Sequence, residues 1–320
     1  MKFDFVIGNP PYQESDGGAG ASATPVYNKF IDAVKTLHPE VMELIIPAKW
    51  YSGGKGLDQF RENMLKDSKI AVLVDYTNSL EVFPGVDVAG GVCYFIRDEK
   101  HTGDCEYINY HNGVKTTAKR NLNEFSTFIR YPIAANIVKK VASFNEKKLN
   151  QFVSSRKPFG LATTERPTKT GDLTLRYNGG TGPYESKNVH VGTKMINQWK
   201  VIISRLTAEH AGQPNKEGKF RVLSTTEILQ PKCICNETYL VAGAFETKVE
   251  AENYMAYLKT KFLRFMLLQI AITQQVSKAT FSFAPVQDFK KKWTDEDLYK
   301  KYNLTTEEKN FIEGMIKEMK

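Results

Sequence analysis

The stretch FDFVIGNPPYQ, residues 3–13, decides the fold, because an apolar strand runs directly into Asn9 and two prolines. We predict a strand over Lys2–Gly8, ended by the prolines, since proline lacks the N–H that a sheet ladder needs. Downstream, apolar residues at helical spacing alternate with short apolar runs. Strands are predicted at 41–46, 70–74 and 91–96, and helices at 26–38 and 57–65. This alternation predicts an α/β fold with a mostly parallel sheet covered by helices.

The second half of the chain predicts less regular structure. Short strands and turn signals are mixed between residues 150 and 245. The other expected elements are a hairpin at 104–120 around Asn112-Gly113, helices at 132–143 and 248–274, and a capping box of Thr305 with Glu308.

The net charge of +8 is unevenly distributed. Residues 1–150 hold 18 Lys and Arg against 18 Asp and Glu, whereas residues 151–292 hold 21 against 11. This excess predicts a surface that meets a polyanion, most simply nucleic acid. No apolar run reaches the length of a membrane span and no signal peptide is evident, so we expect a cytoplasmic protein. The four cysteines include no CxxC pair, so no metal site is predicted.

Asn9, Pro10 and Tyr12 have the chemistry to act on one amino group. Asn9 carries a side-chain carbonyl, and Pro11 keeps Pro10 out of the α region, which allows the Pro10 carbonyl to face the same point. Two hydrogen bonds from the amino protons to these carbonyls would favour a tetrahedral amine whose lone pair can attack. Tyr12 adds an aromatic face, and no Ser, His or Cys nucleophile is required.

The same stretch resembles the methyl-transfer motif of the N6-adenine DNA methyltransferases of restriction–modification systems, in which a strand ends in Asn/Asp-Pro-Pro-Tyr/Phe. The resemblance to these enzymes, type IIG-like ones included, continues through PVYNKFIDA (25–33), MELIIPAKWYSGGKGLDQFRENML (42–65), VFPGVDVAGGVCYFI (82–96) and the C-terminal residues 293–319. It implies S-adenosylmethionine as methyl donor and a flipped adenine as acceptor. The residues that it makes catalytic are Asn9, Pro10, Pro11 and Tyr12, and Asn9 and Pro10 would also touch the cofactor.

The resemblance covers only part of the family's order. A glycine-rich loop and an acidic ribose-binding residue precede Asn-Pro-Pro-Tyr in the family, but eight residues precede it here. We therefore expect residues 1–145 to be the C-terminal half of a Rossmann-like catalytic domain, with an incomplete cofactor site. Residues 146–320 would be an α+β target-recognition domain. Lys2–Gly8 would become an edge strand, covered by an N-terminal methylase half or by self-association.

The resemblance and the charge also predict where DNA is held. By its match to the family, Phe95 should contact the target base, and Trp50 is expected to line the same pocket. Stacking would repay part of the few kcal/mol that base flipping costs. The expected contacts to double-stranded DNA are Arg156, Lys157, Arg166, Lys169 and Lys194.

Three functions are consistent with these residues. The favoured one is a site-specific adenine-N6 DNA methyltransferase component of a restriction–modification system. Enzymes that methylate protein glutamine or RNA share Asn-Pro-Pro-Tyr, although the basic region that follows the motif favours DNA. A DNA specificity module without catalytic activity is the third, and the missing cofactor loop is its best support.

Overall fold

The computed structural model forms two compact units, Met1–Ala135 and Asn136–Lys320. The residues that it describes are 3–14, 24–51, 56–88, 90–111, 113–208, 214–215, 217–271 and 275–319. Asn112, at the turn of the predicted hairpin, lies outside them.

The first unit is built on one six-stranded sheet. Its strands are β1 (Phe5–Gly8), β2 (Val41–Pro47), β3 (Ile70–Tyr76), β4 (Val92–Asp98), β5 (Cys105–His111) and β6 (Val114–Arg120). Their order across the sheet is β1-β2-β4-β3-β5-β6. Two helices accompany it, α1 (Tyr27–Thr36) and α2 (Asp58–Lys66). The predicted α/β class is confirmed, and the hairpin expected at 104–120 is formed by β5 and β6.

The prediction of a mostly parallel sheet is wrong. Only β1 with β2 and β3 with β5 pair in parallel, while β4 runs antiparallel between β2 and β3. The connection before β4 allows this reversal through Gly91, whose φ is +80°. A Cβ at Gly91 would lie 2.1 Å from the Tyr76 carbonyl oxygen, so only glycine fits where the chain turns back beside β3.

The expected edge position of the first strand is confirmed, since β1 pairs with β2 alone among the residues that the structure describes. Both α1 and α2 lie over the face of the sheet that carries Cys93. Tyr27 of α1 packs on Phe60 of α2. Phe60 in turn packs on Trp50, whose indole N–H donates a hydrogen bond to the Cys93 thiol. On the other face, the side chains of Phe5 and Ile7 are exposed.

The second unit contains two small sheets and a helical C-terminal part. Strands β9 (Trp199–Ser204), β10 (Thr226–Leu229) and β12 (Tyr239–Phe245) form one sheet, and β7 (Leu173–Tyr177), β8 (Gly180–Tyr184) and β11 (Cys233–Cys235) form the other. A shared apolar core joins them and includes Phe159, Leu175, Ile202 and Val241.

The helices are α3 (Pro132–Ser143), α4 (Lys248–Lys259), α5 (Lys261–Leu268), α6 (Asp295–Lys301) and α7 (Thr306–Met315). The helix predicted at 248–274 is broken at Thr260, which has extended backbone angles and caps α5 by accepting from the Leu263 N–H. The capping box of Thr305 with Glu308 is confirmed at the start of α7.

Candidate functional site

Residues Asn9 to Tyr12 follow the carboxyl end of β1, beside the carboxyl end of its parallel neighbour β2. Open α/β sheets bind their ligands at such ends, because the loops that leave parallel strands diverge there. Asn9 and Pro11 are exposed, whereas Pro10 and Tyr12 are half-buried. The motif therefore lies at the surface of the unit, where a substrate can reach it.

Tyr12 is held in place by main-chain pairing. Its carbonyl oxygen accepts a hydrogen bond from the Val26 N–H at 3.2 Å, and the Glu14 N–H donates to the Thr24 carbonyl at 3.1 Å. These bonds join the end of the motif to the segment that leads into α1. The main chain of Tyr12 is thus fixed relative to both β1 and α1.

The Tyr12 hydroxyl points inward, where it is buried and makes no hydrogen bond of ordinary geometry. Burial and the neighbouring Cys93 thiol raise the pKa of Tyr12, while a polar contact with the Asn9 side chain lowers it. Asn9 and Tyr12 are therefore neighbours through their side chains. The convergence of the Asn9 and Pro10 carbonyls on one point stays a prediction.

A buried ionic network lies in the same unit, and the sequence reasoning missed it. Asp75, on β3, is fully buried, and its Oδ2 accepts from the Tyr107 hydroxyl at 2.9 Å and the Asn109 side-chain amide at 2.8 Å. Arg130 completes the network as a fork, with Nε 2.8 Å from Oδ2 and a terminal nitrogen 2.6 Å from Oδ1. An acid within the apolar run IAVLVDY was the available signal, because buried carboxylates need partners.

This network fixes the residues that follow β2. The Arg130 guanidinium lies over the Tyr51 ring, 5.2 Å from its centre. Tyr51 is also tied through its carbonyl, which accepts from the Thr127 hydroxyl at 2.7 Å. Burial, followed by the Asp75 carboxylate, holds the pKa of Tyr51 well above its usual range. Through Arg130, Asp75 therefore supports the position of Tyr51 in the segment after β2.

The structure contradicts the predicted base contacts of Phe95 and Trp50. Both side chains are 0% exposed. Phe95 lies in the middle of the sheet, in register with Leu44 and Leu73. The Trp50 indole packs edge-on against Phe60, and its N–H donates to the Cys93 thiol at 3.4 Å. Both rings are buried in the core, so they offer no surface to a flipped base.

The predicted DNA contacts all lie in the second unit but differ in their surroundings. Lys169 and Lys194 are exposed. Arg166 is exposed and stacks over the Tyr177 ring, 5.3 Å from its centre. Arg156 and Lys157 instead form ion pairs with Glu237, a buried carboxylate that the sequence reasoning missed. The five cations are therefore not one uniform solvated surface.

Among the described residues, no group of three or more His, Cys, Asp and Glu side chains is placed to hold a metal ion. The same residues include no helix long and apolar enough to cross a membrane.

The first unit is a mixed α/β sheet that presents Asn-Pro-Pro-Tyr at the end of a parallel strand. Residues 1–83 match the Eco57I restriction-modification methylase family. An uncharacterized adenine-specific methylase of Mycoplasma pneumoniae is 30% identical over an alignment of 174 residues that covers 50% of this chain and 41% of that protein. The start of the first unit is thus similar to restriction-modification methylases, in agreement with the resemblance, and the chain spans less than half the length of this relative.

Solved structures with similarity over most of the chain also come from restriction–modification enzymes. The match to the type IIL enzyme MmeI, solved in complex with DNA, covers 87% of this chain and 46% of the MmeI chain, with 8% identity and a TM-score of 0.45. The type IIG restriction endonuclease BpuSI covers 89% and 45%, with 12% identity and a TM-score of 0.34.

Proposed function

We propose that this chain is the C-terminal portion of an adenine-N6-specific DNA methyltransferase of a restriction–modification system. The observation that carries the proposal is the position of Asn9–Tyr12 at the carboxyl end of β1, within the segment that matches the methylase family. The second unit would hold the DNA, and its basic composition supports this role.

The residues at the end of β1 would activate the acceptor amine. Adenine N6 is a poor nucleophile because its lone pair is delocalised into the ring. The Asn9 side-chain oxygen and the Pro10 carbonyl would accept its two protons and favour a tetrahedral nitrogen. The half-buried Tyr12 ring would stack on the base, and its anchoring to Val26 would keep that face in place.

S-adenosylmethionine would supply an electrophilic methyl group to that nitrogen. The described residues fit only one side of such a cofactor. Asn9 and Pro10 offer acceptors at the strand end, but β1 has a neighbouring strand on one side alone. A cofactor crevice in an open α/β sheet is formed between the ends of two neighbouring strands and the loops that leave them. The remaining contacts would come from residues beyond the unpaired side of β1.

The direct test is methyl transfer to duplex DNA by this chain, alone and with the cofactor-binding half of a methylase of the same family. We expect weak cofactor binding and negligible transfer by the chain alone, and transfer when both halves are present. Asn9→Ala should then reduce the rate by about 10² to 10³, the usual effect of losing one preorganised polar group at a reacting centre. Asn63→Ala, on the exposed side of α2, is the matched control.

The outcomes separate the candidate functions. Transfer that survives Asn9→Ala would refute the proposed chemistry. Tight cofactor binding by the chain alone would refute the partial site but not the methylase. DNA binding without transfer under any condition would favour the specificity module, and transfer to RNA or to protein glutamine would replace the substrate.

We propose further that the unpaired edge of β1 and the adjacent sheet face bind that N-terminal half. The two edges of the sheet differ. β6, at the far edge, has the sequence VKTTAKR, and such charges discourage unwanted pairing, whereas β1 has the sequence FVIG. Phe5 and Ile7 are 67% and 74% exposed. An apolar, uncharged edge strand is a ready template for a further strand.

The sheet face supports the same partner. On the face opposite α1 and α2, most side chains are apolar and several of them are only partly buried; these include Ile45, Val72, Tyr94, Ile96 and Ile108. In a doubly wound sheet, the half that is wound in the other direction places its crossover helices on the other face. A cofactor-binding half joined at β1 would therefore pair with its edge and cover this face.

This partner is tested by an edge substitution. Ile7→Lys should abolish co-purification of the two halves, because it places a charge on the pairing edge. Val114→Lys, at the exposed start of β6 on the opposite edge, should leave co-purification unchanged. Concentration-dependent sedimentation of the chain alone, lost in Ile7→Lys, would show that the edge serves self-association instead.

A further inference from the structure

Three cations of the second unit converge on one buried carboxylate. Glu237 lies in the turn between β11 and β12 and is 4% exposed. Its Oε1 accepts from Arg156 Nε and from an Arg205 terminal nitrogen, the latter at 2.7 Å. Lys157 Nζ lies 3.7 Å from Oε2. Burial raises the pKa of Glu237, but the three cations outweigh it and hold that pKa below its usual value.

This cluster carries an excess of positive charge. Three cations face one carboxylate, so within the described part of the chain two positive charges have no acidic partner. Arg176 shows the ordinary arrangement in the same unit, since it pairs with Glu227 alone. A purely structural role for Glu237 would need one partner, because each further cation adds repulsion without a second anion.

The excess charge faces solvent. The side chains of Arg156 and Lys157 are 69% and 44% exposed, while Arg205 is 19% exposed and lies behind them. Arg156 uses its Nε for Glu237, and no described residue accepts from its two terminal nitrogens. A guanidinium in this state can still donate two parallel hydrogen bonds to an oxyanion.

The loop that carries these cations is fixed. Lys157 has a φ of +59°, in the left-handed region, and its carbonyl accepts from the Gly160 N–H at 3.0 Å. Phe159 is in the core, and the Glu237 N–H donates to the Leu161 carbonyl at 3.0 Å. A lysine held at positive φ is costly, and such backbone strain is retained where the surrounding structure holds the residue for a function.

We infer that Arg156, Lys157 and Arg205 form a phosphate-binding site, and that Glu237 is the residue that positions them. The inference rests on the proposed function in one respect, the choice of a DNA backbone phosphate as the ligand. Without the carboxylate the three cations would repel one another and separate. With it, Arg156 and Lys157 are gathered on one side, where a phosphate supplies the missing negative charge.

Equilibrium binding of a short fluorescent duplex of mixed sequence, measured against salt concentration, tests this site. The variants are Arg156→Ala, Lys157→Ala and Glu237→Gln in the full chain. Lys187→Ala and Glu185→Gln make the same charge changes at an exposed ion pair of the same unit and serve as matched controls. Inorganic pyrophosphate, as competitor, distinguishes a free oxyanion from the DNA backbone.

Each phosphate contact contributes a salt slope of about 0.9, so Arg156→Ala and Lys157→Ala should each remove about that much. Over a fourfold rise in salt, the affinity of each variant should fall about 3.5-fold less than that of the wild type. Glu237→Gln decides the positioning role, because loss of one negative charge alone would strengthen DNA binding. We expect binding weakened several-fold instead, with a smaller slope, while Glu185→Gln binds as the wild type or slightly tighter.

Unchanged slopes in Arg156→Ala and Lys157→Ala, with the wild type binding DNA, would overturn this site and leave the proposed function intact. Tighter binding by Glu237→Gln would overturn the positioning role. If Glu237→Gln fails to fold, as judged by circular dichroism, the salt slope of Arg156→Ala still tests the phosphate site, because Arg156 is exposed. A wild-type protein that does not bind duplex at low salt would overturn the DNA-binding function itself. Displacement of DNA by millimolar pyrophosphate alone would reassign the site to a free oxyanion.

Discussion

Asp75→Asn should unfold the first unit locally, because it removes the only anion of a buried network. Asp75 is 0% exposed and its two oxygens accept four hydrogen bonds, two of them from Arg130. The substitution leaves the Arg130 guanidinium without its counter-charge in a low-dielectric site. It also places the N–H₂ donor of the new amide against groups that themselves donate hydrogen bonds to Asp75. Breaking a buried ion pair from one side typically costs about 3 to 5 kcal/mol.

Hydrogen–deuterium exchange of peptides from β3 and β5 measures this cost within the first unit. Opening made easier by that amount should accelerate exchange by about two to three and a half orders of magnitude, up to the limit set by the unit's total stability. Asp58→Asn is the control, since Asp58 is 69% exposed and pairs with Arg61 at the surface of α2. Exchange in β3 that is unchanged by Asp75→Asn would refute the argument that this carboxylate organises the segment after β2.

Three more predictions concern single side chains. Tyr12→Phe should leave stability unchanged or raise it slightly in thermal melting, because the buried hydroxyl lacks a hydrogen bond of ordinary geometry and its desolvation is not repaid. Phe95→Ala should lower the free energy of urea unfolding by about 3 to 5 kcal/mol, as core phenylalanines do; a neutral effect would show that the ring is not part of the core. Burial lowers the pKa of Lys200 to about 8, below its unfolded value of 10.5, so the unfolded chain binds more protons between these values. Stability should therefore rise with pH over this range relative to Lys200→Met, and the two pH profiles of urea unfolding should run parallel if the lysine is not buried.

Local pattern was sufficient for most elements of the first unit. The helices at α1 and α2, the hairpin of β5 and β6 and the strand β2 all follow from periodicity and turn residues, which act over a few positions. The Asn-Pro-Pro-Tyr motif was equally local, because its chemistry depends on consecutive residues after one strand. The break at Thr260 was not visible, since apolar residues at helical spacing continue on both sides of it.

The sequence by itself determined the class of fold, the place of the Asn9 motif after β1 and the basic character of the region beyond residue 150. Only the tertiary structure decided the strand order, since β4 is inserted between two strands that precede it in the chain. It also assigned Phe95 and Trp50 to the core, because burial depends on which elements cover a side chain. Partners such as Arg130 for Asp75 and Glu237 for Arg156, which lie 55 and 81 residues apart, could not be predicted. An ion pair leaves no periodic signal in the sequence, and the distance between its charges is set by the folding of the whole unit.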